Sequence, residues 1–208
     1  MSNGAVFTDI AGRYDRLNSI LSLGHDQDWR VTAIDRLPGG RILDLGAGTG
    51  AANLVFGDRD VVALDPSPEM LARNDAAHRV VGVGERLPFS DESFDAVFSA
   101  YVFRNLDSVD ATIAEISRIL RQGGKAGIID LGRPVGSLWR SIHRAGTSVV
   151  LPLAGLTIGA RGEYTYLHHT LDKHPGPEIL FGGSPLRLVD TWRMGPMGFV
   201  WGAVLQKP

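Results

Sequence analysis

Ile42-Leu43-Asp44-Leu45-Gly46-Ala47-Gly48-Thr49-Gly50 reads as a buried strand that runs straight into a glycine-rich turn. Glycine tolerates positive φ and lets a ligand approach the backbone closely. A helix after such a turn presents free N–H groups at its N-terminus. Beyond the turn a second apolar run, Val61–Leu64, ends in Asp65, fifteen residues after Gly50. A carboxylate there can accept two hydroxyls, because an ionised Asp has two oxygens and no donor.

The same pattern continues outward. Val80, Val81 and Val83 suggest a third strand, Phe94–Ser99 a fourth and Ala126–Leu131 a fifth. Between the last two, Ala111–Arg121 carries Ile113, Ile116, Ile119 and Leu120 at helical spacing. Strands that alternate with helices predict an α/β fold with a mostly parallel sheet covered on both faces. Leu186–Trp192 and Phe199–Gln206 add two strands, for seven in all. In such sheets ligands bind beyond the carboxyl ends of the strands. The loops after Leu45, Leu64, Val83 and Ser99 are therefore the expected site.

The ends of the chain read differently. Phe7, Ile10, Tyr14, Leu17 and Leu21 recur at three and four, and Val31, Ile34 and Leu37 continue a second helix that Pro38-Gly39-Gly40 stops. A further helical stretch is expected near residues 137–151. The apolar, uncharged run from Ala145 to Ala160 is too short for a bilayer span and is broken by Gly146, Pro152, Gly155 and Gly159. One domain is expected over 1–208, with a helical lid at 1–38, a cofactor-binding core at 39–132 and an acceptor-binding region at 133–208.

Composition narrows the function. The 208 residues carry 21 basic and 23 acidic side chains, a net charge of −2, which argues against a general nucleic-acid surface. There is no cysteine, which removes disulfides, thiolate nucleophiles and cysteine-held zinc. No metal site is expected. Met1–Ile10 has neither a basic start nor an apolar run, so no secretory leader is expected, and a cytoplasmic location follows. The 26 glycines are about 12% of the chain against a usual ~7%.

The glycine spacing is G-x-G-x-G, not the G-x-G-x-x-G of dinucleotide sites, and Asp44 stands two residues before the first glycine. A carboxylate there suits a cationic ligand with an amino group better than a pyrophosphate. S-adenosyl-L-methionine has an α-amino group, a sulfonium and a ribose. The pattern resembles that of the Rossmann-like class I methyltransferases. Asp44 is then expected at the amino group, Asp65 at the ribose and Thr49 at the carboxylate or as a helix cap. Gly46, Ala47, Gly48, Pro66 and Ala100 would complete the cofactor site, with Val83 and Gly84 beside the adenine. The product would be S-adenosyl-L-homocysteine.

Further stretches resemble the menaquinone/ubiquinone C-methyltransferases. Tyr14-Asp15-Arg16-Leu17-Asn18-Ser19-Ile20-Leu21-Ser22, with Gly24 and Trp29, is similar to that family's N-terminal signature. Glu85-Arg86-Leu87-Pro88-Phe89 with Ser93-Phe94-Asp95, Phe103-Arg104-Asn105-Leu106, and Arg118-Ile119-Leu120-Arg121-Gln122-Gly123-Gly124 follow in order. Tyr164-Thr165-Tyr166-Leu167 and His174-Pro175 resemble its C-terminal segment. The family pattern differs at several points. Asp26 stands where it has a His, Val83 where an Asn or Asp commonly meets adenine, Asp130 where it has Glu and Gly132 where it has Ser. The segment Ala51–Asp60 leaves room for only about two helical turns, and the region near Phe181–Pro185 lacks the usual helix.

The resemblance implies methylation of a prenylated quinol, demethylmenaquinol to menaquinol. It puts Arg104, Asn105 and Tyr14 at the chemistry and Tyr101, Tyr166 and His174 at the acceptor. Arg104 would act electrostatically on a phenolate oxygen. Peripheral membrane contact and a homodimer are further expectations. A methyltransferase for another lipid or small molecule, and a catalytically silent binding or assembly subunit, are the competing readings.

Overall fold

The computed structural model describes residues 22, 24–138, 140–141, 143–146, 148, 171 and 175–208. The expected N-terminal lid helix, Tyr14, Tyr166 and His174 lie outside the described residues, as does most of the apolar run at 145–160.

Helix α1 (Asp26–Ile34) leads into strand β1 (Arg41–Leu45). One-turn helix α2 (Asn53–Phe56), strand β2 (Asp60–Asp65), one-turn helix α3 (Pro68–Leu71) and strand β3 (His78–Val81) follow. Strand β4 (Phe94–Ala100) leads through a 3-10 turn (Phe103–Asn105) to helix α4 (Val109–Ile119) and strand β5 (Leu120–Leu131). Described residues between 137 and 148 are helical. One-turn helix α5 (Pro177–Leu180) precedes the β6 (Arg187–Met194) and β7 (Val200–Gln206) pair.

The strands form one seven-stranded sheet in the order β3-β2-β1-β4-β5-β7-β6. The first five are parallel, and β7 inserts antiparallel between β5 and β6. The strand order reverses between β1 and β4 in the middle of the sheet, with the strands still parallel, and this opens the crevice where such folds bind ligands. Side chains alternate between the faces of each strand. Ile42, Phe98 and Ile129 pack with Trp29, Ala33 and Ile34 of α1 on one face. Leu43, Leu45, Val97 and Ile128 pack with Ile113, Ile116 and Ile119 of α4 on the other. The central strands are covered on both sides, which is why they read as continuous apolar runs. Ser108 caps α4 by accepting from the Ala111 amide at 3.2 Å, and Ser67 does the same for α3 with Met70.

Several expectations change. Ile34 and Leu37 are buried as expected, but Val31 is exposed and α1 buries Trp29, Arg30 and Ala33 in its place. Those positions share one helical face, and Val31 is two residues off it. Val83 is not part of the third strand. That strand starts at His78 and is a half-exposed edge, with Val83 beyond it in an isolated bridge to Arg86. Strand β5 begins at Leu120, six residues before the apolar run, because residues 121–124 bulge out between Phe94↔Leu120 and Ala96↔Lys125. The helix after the glycine turn is four residues, shorter than the two turns expected.

Candidate cofactor and acceptor site

The carboxyl ends of β1, β2, β4 and β5 meet at one edge of the sheet, and the glycine turn lies across them. Gly46 (φ 74) and Ala47 both donate to the Leu64 carbonyl, at 2.8 and 3.0 Å, which pins the turn to β2. A Cβ on Gly46 would run into the Val102 side chain. Gly48 (φ 54) faces open space, with nothing within 4 Å of where a Cβ would stand. The turn is therefore tied down from below and open from above.

Asp65 ends β2 and holds the turn. Its Oδ2 accepts from the Gly48 amide and its Oδ1 from the Ser67 amide, each at 2.9 Å. Each oxygen keeps a second lone pair for a ligand hydroxyl. Burial raises its pKa, against the pull of those two amides. Pro66 beside it is exposed.

Asp44 is different. It is 2% exposed, and its Oδ2 has no hydrogen-bond partner among the described residues. Burial pushes its pKa up to about 7; the Arg30 guanidinium lowers it and Asp65 raises it. A buried acceptor without a donor is costly, and its natural complement is a cationic donor from a ligand.

Further along the edge, Gly84 is buried against Thr112 and Leu106, while Val83 is 47% exposed. Glu85 has a structural task, since its Oε1 accepts from the Asp107 and Ser108 amides at 2.9 and 3.3 Å.

The side expected to face the acceptor is built on the turn after β4. Ala100 is half-buried at the strand end, and Tyr101 follows with φ 65, a left-handed conformation uncommon for a bulky residue. Its amide donates to the Ile129 carbonyl at 2.7 Å, so the turn is held to β5. The Tyr101 ring is buried with the guanidiniums of Arg30 and Arg104 at 5.3 and 6.0 Å, and burial raises its phenol pKa. Arg104 is gripped by Asp130 of β5. Its Nη1 donates to Oδ1 at 2.6 Å and its backbone amide to Oδ2 at 3.0 Å. Both side chains are buried, at 7% and 1% exposure. Asn105 donates through Nδ2 to the Tyr101 carbonyl at 3.3 Å, and its buried Oδ1 has no partner among the described residues.

The sequence reading overlooked three residues here. Asn74, 1% exposed, donates to the Gly48 carbonyl at 3.2 Å and accepts from the Ala76 amide and from Asn53 Nδ2. Gln27 of α1 donates to the Ala51 carbonyl at 3.0 Å. Arg30, on the same helix as Gln27, is buried. The Trp29 signature places α1, and with it Gln27 and Arg30, near the site without saying which side chains reach it, and nothing in the sequence points to Asn74. The donor set fits S-adenosylmethionine: an open carboxylate for an ammonium, a second carboxylate for a diol, and a bare backbone turn between them. Among the described residues no group of three or more His, Asp or Glu is placed to hold a metal.

Comparison with known proteins agrees with this geometry. The profile of the ubiE/COQ5 methyltransferase family matches residues 2–182. The chain is 38% identical to a demethylmenaquinone methyltransferase of Thermus thermophilus, over 84% of this chain and 87% of that one. It is 37% identical to the protein of that name in Deinococcus radiodurans, over 84% and 79%. Among solved structures, a SAM-dependent methyltransferase of Thermotoga maritima superposes with a TM-score of 0.68 at 18% identity, covering 99% of each chain. One from Aquifex aeolicus does so with a TM-score of 0.60 at 16% identity, covering 95% of this chain and 98% of that one. The structural likenesses carry the fold, the sequence likenesses carry the family, and this chain belongs to the ubiE/COQ5 methyltransferase family.

Proposed function

We propose that this protein methylates a ring carbon of a prenylated quinol, converting demethylmenaquinol to menaquinol with S-adenosyl-L-methionine as donor. The observation that carries the reading is the buried, unpartnered Asp44 oxygen beside the open face of Gly48. It occurs in a chain whose relatives in Thermus and Deinococcus bear that enzyme's name.

When bound, the donor would supply a sulfonium methyl to the nucleophilic ring carbon, with S-adenosyl-L-homocysteine leaving on the electron pair of the broken S–CH3 bond and the ring carbon's proton passing to solvent. The residues supply alignment, which is the larger part of the work in such a transfer. Asp44 holds the ammonium and Asp65 the ribose hydroxyls. Ala47 and Thr49 flank them in the turn, and Val83 and Gly84 lie beside the adenine. Arg104 stabilises negative charge on the quinol oxygen, and Asp130 fixes its guanidinium so that little reorganisation is needed. Tyr101 and Asn105 line the acceptor's approach. A prenylated acceptor resides in a bilayer, so we place a cytoplasmic enzyme at the membrane surface. Among the described residues no helix is long and apolar enough to cross a membrane.

Purified protein incubated with S-adenosylmethionine and reduced demethylmenaquinone should give a product heavier by one methyl. Donor turnover on a different acceptor, with none on this one, would contradict the assignment. Arg104→Lys should lower turnover about 100-fold while leaving donor affinity intact. Loss of donor binding instead would place Arg104 in the cofactor site.

A further inference from the structure

We propose that Arg30 receives the α-carboxylate of the donor's methionyl end, so that Asp44 and Arg30 together recognise a zwitterionic α-amino acid. The inference rests on the S-adenosylmethionine reading above and adds a second half to that subsite.

Three observations carry it. The first is that Arg30 is a buried cation with part of its donor set unspent. Among the described residues its hydrogen bonds leave from Nη1 alone, to the Asp26 carboxylate at 3.0 Å and the Asp26 carbonyl at 3.1 Å. The Nε–Nη2 edge of the guanidinium remains, and that edge matches a carboxylate through two parallel hydrogen bonds.

The second is charge. An α-amino acid that brings its ammonium to Asp44 must bring its carboxylate within about one bond's reach of the same place. There it would meet the fixed charges of Asp44 and Asp65, and two like charges at such range repel strongly. Arg30 is the cation that Asp44 senses, and it depresses the Asp44 pKa against the effect of burial. A cation that faces the carboxylate offsets this repulsion, and Arg30 supplies one.

The third is rigidity. Helix α1 is held to the loop after the glycine turn by Gln27, and to the core by Trp29 and Ile34. The guanidinium is held by Asp26 on one side and lies against the Tyr101 ring on the other, 5.3 Å from its centroid. A charge positioned before the ligand arrives loses little entropy when the ligand binds.

The test compares two ligands by calorimetry: S-adenosylmethionine, and its decarboxylated form, which keeps the ammonium, sulfonium and ribose but lacks the carboxylate. Wild-type protein, Arg30→Met and Arg30→Lys are titrated with each, and a thermal melt reports folding. Arg30→Met should weaken S-adenosylmethionine about 30-fold or more beyond any loss it causes for the decarboxylated ligand, which feels only the effect of Arg30 on Asp44, as expected when one partner of a buried charge pair is removed. Arg30→Lys keeps the charge but loses the fork, and should weaken only the carboxylate-bearing ligand, by about 3–10-fold. If Arg30→Met does not fold, the Lys variant decides by the same ligand contrast. Equal losses for the two ligands, or no loss for S-adenosylmethionine, would overturn the role of Arg30. A wild-type protein that binds neither ligand overturns the cofactor reading itself, and this inference with it.

Discussion

Asp44 and Asp130 stand near the carboxyl ends of β1 and β5, the two strands that flank β4. Both are sealed from water, at 2% and 1% exposure. Asp130 has both oxygens partnered: its Oδ1 accepts from Arg104 Nη1 and the Leu131 amide, and its Oδ2 from the Arg104 amide. Asp44 has an oxygen with no donor and a pKa pushed up to about 7 by burial. The same side chain in the same layer of the fold thus does opposite work. One carboxylate is spent on holding a neighbour. The other is left unsatisfied, at a cost in stability, and on the proposed reading it waits for a charge that the ligand brings.

The largest effect should come from breaking the partnered acid. Asp130→Ala removes the carboxylate that grips buried Arg104 and should cost about 3–5 kcal/mol in chemical denaturation. Asp44→Asn should cost nothing at pH 8, because no internal partner is lost. If both variants lose stability alike, the contrast between the two acids is broken.

Next in size is donor affinity. Asp44→Asn should weaken S-adenosylmethionine about 30- to 1000-fold by calorimetry, the range expected for deleting one member of a buried charge pair. A change under threefold would mean that the ammonium binds elsewhere.

The pH dependence sharpens the comparison further. The folded Asp44 has its pKa raised from 3.8 to about 7. Its contribution to stability is therefore fully present below pH 4 and is lost as pH rises through about 7. Donor affinity runs the other way, since the ammonium needs the ionised carboxylate. The affinity should climb about tenfold per pH unit up to roughly pH 7 and then level off. Both slopes should vanish in Asp44→Asn.

The smallest effect concerns the turn itself. Asn74→Ala removes the donor to the Gly48 carbonyl and the acceptor for the Ala76 amide, and should cost about 1–2 kcal/mol of stability with a modest loss of donor affinity. An affinity loss as large as that of Asp44→Asn would make Asn74 a ligand residue.

How much of this was readable from sequence follows from how local each cause is. Strands β1, β2 and β4 were legible because burial on both faces leaves an uninterrupted apolar run. The glycine turn with Asp44 and Asp65 was legible because its demands fall within a few residues of a strand end. The start of β5 was not, since Gly123-Gly124 resembles a stop and only the pairing with β4 shows it to be a bulge. Val83 fits a strand by composition, and its place outside β3 is set by a bridge to Arg86. Asn74 and Arg30 carry no local pattern. Their work depends on partners that the fold brings together, the Gly48 carbonyl 26 residues from Asn74 and the buried Asp44 near Arg30. The position of Arg104 just after β4 was legible, but the closeness of its tie to Asp130 was not.

The account rests on Asp44 being a buried acid held open for a cation. Carbon-detected NMR of the Asp44 carboxyl across pH, with and without S-adenosylmethionine, tests this directly. The free protein should show the carboxyl titrating near pH 7, and the bound protein should show it ionised down to pH 5 or below. A carboxyl that titrates near 4 in the free protein, unchanged by the ligand, would contradict it.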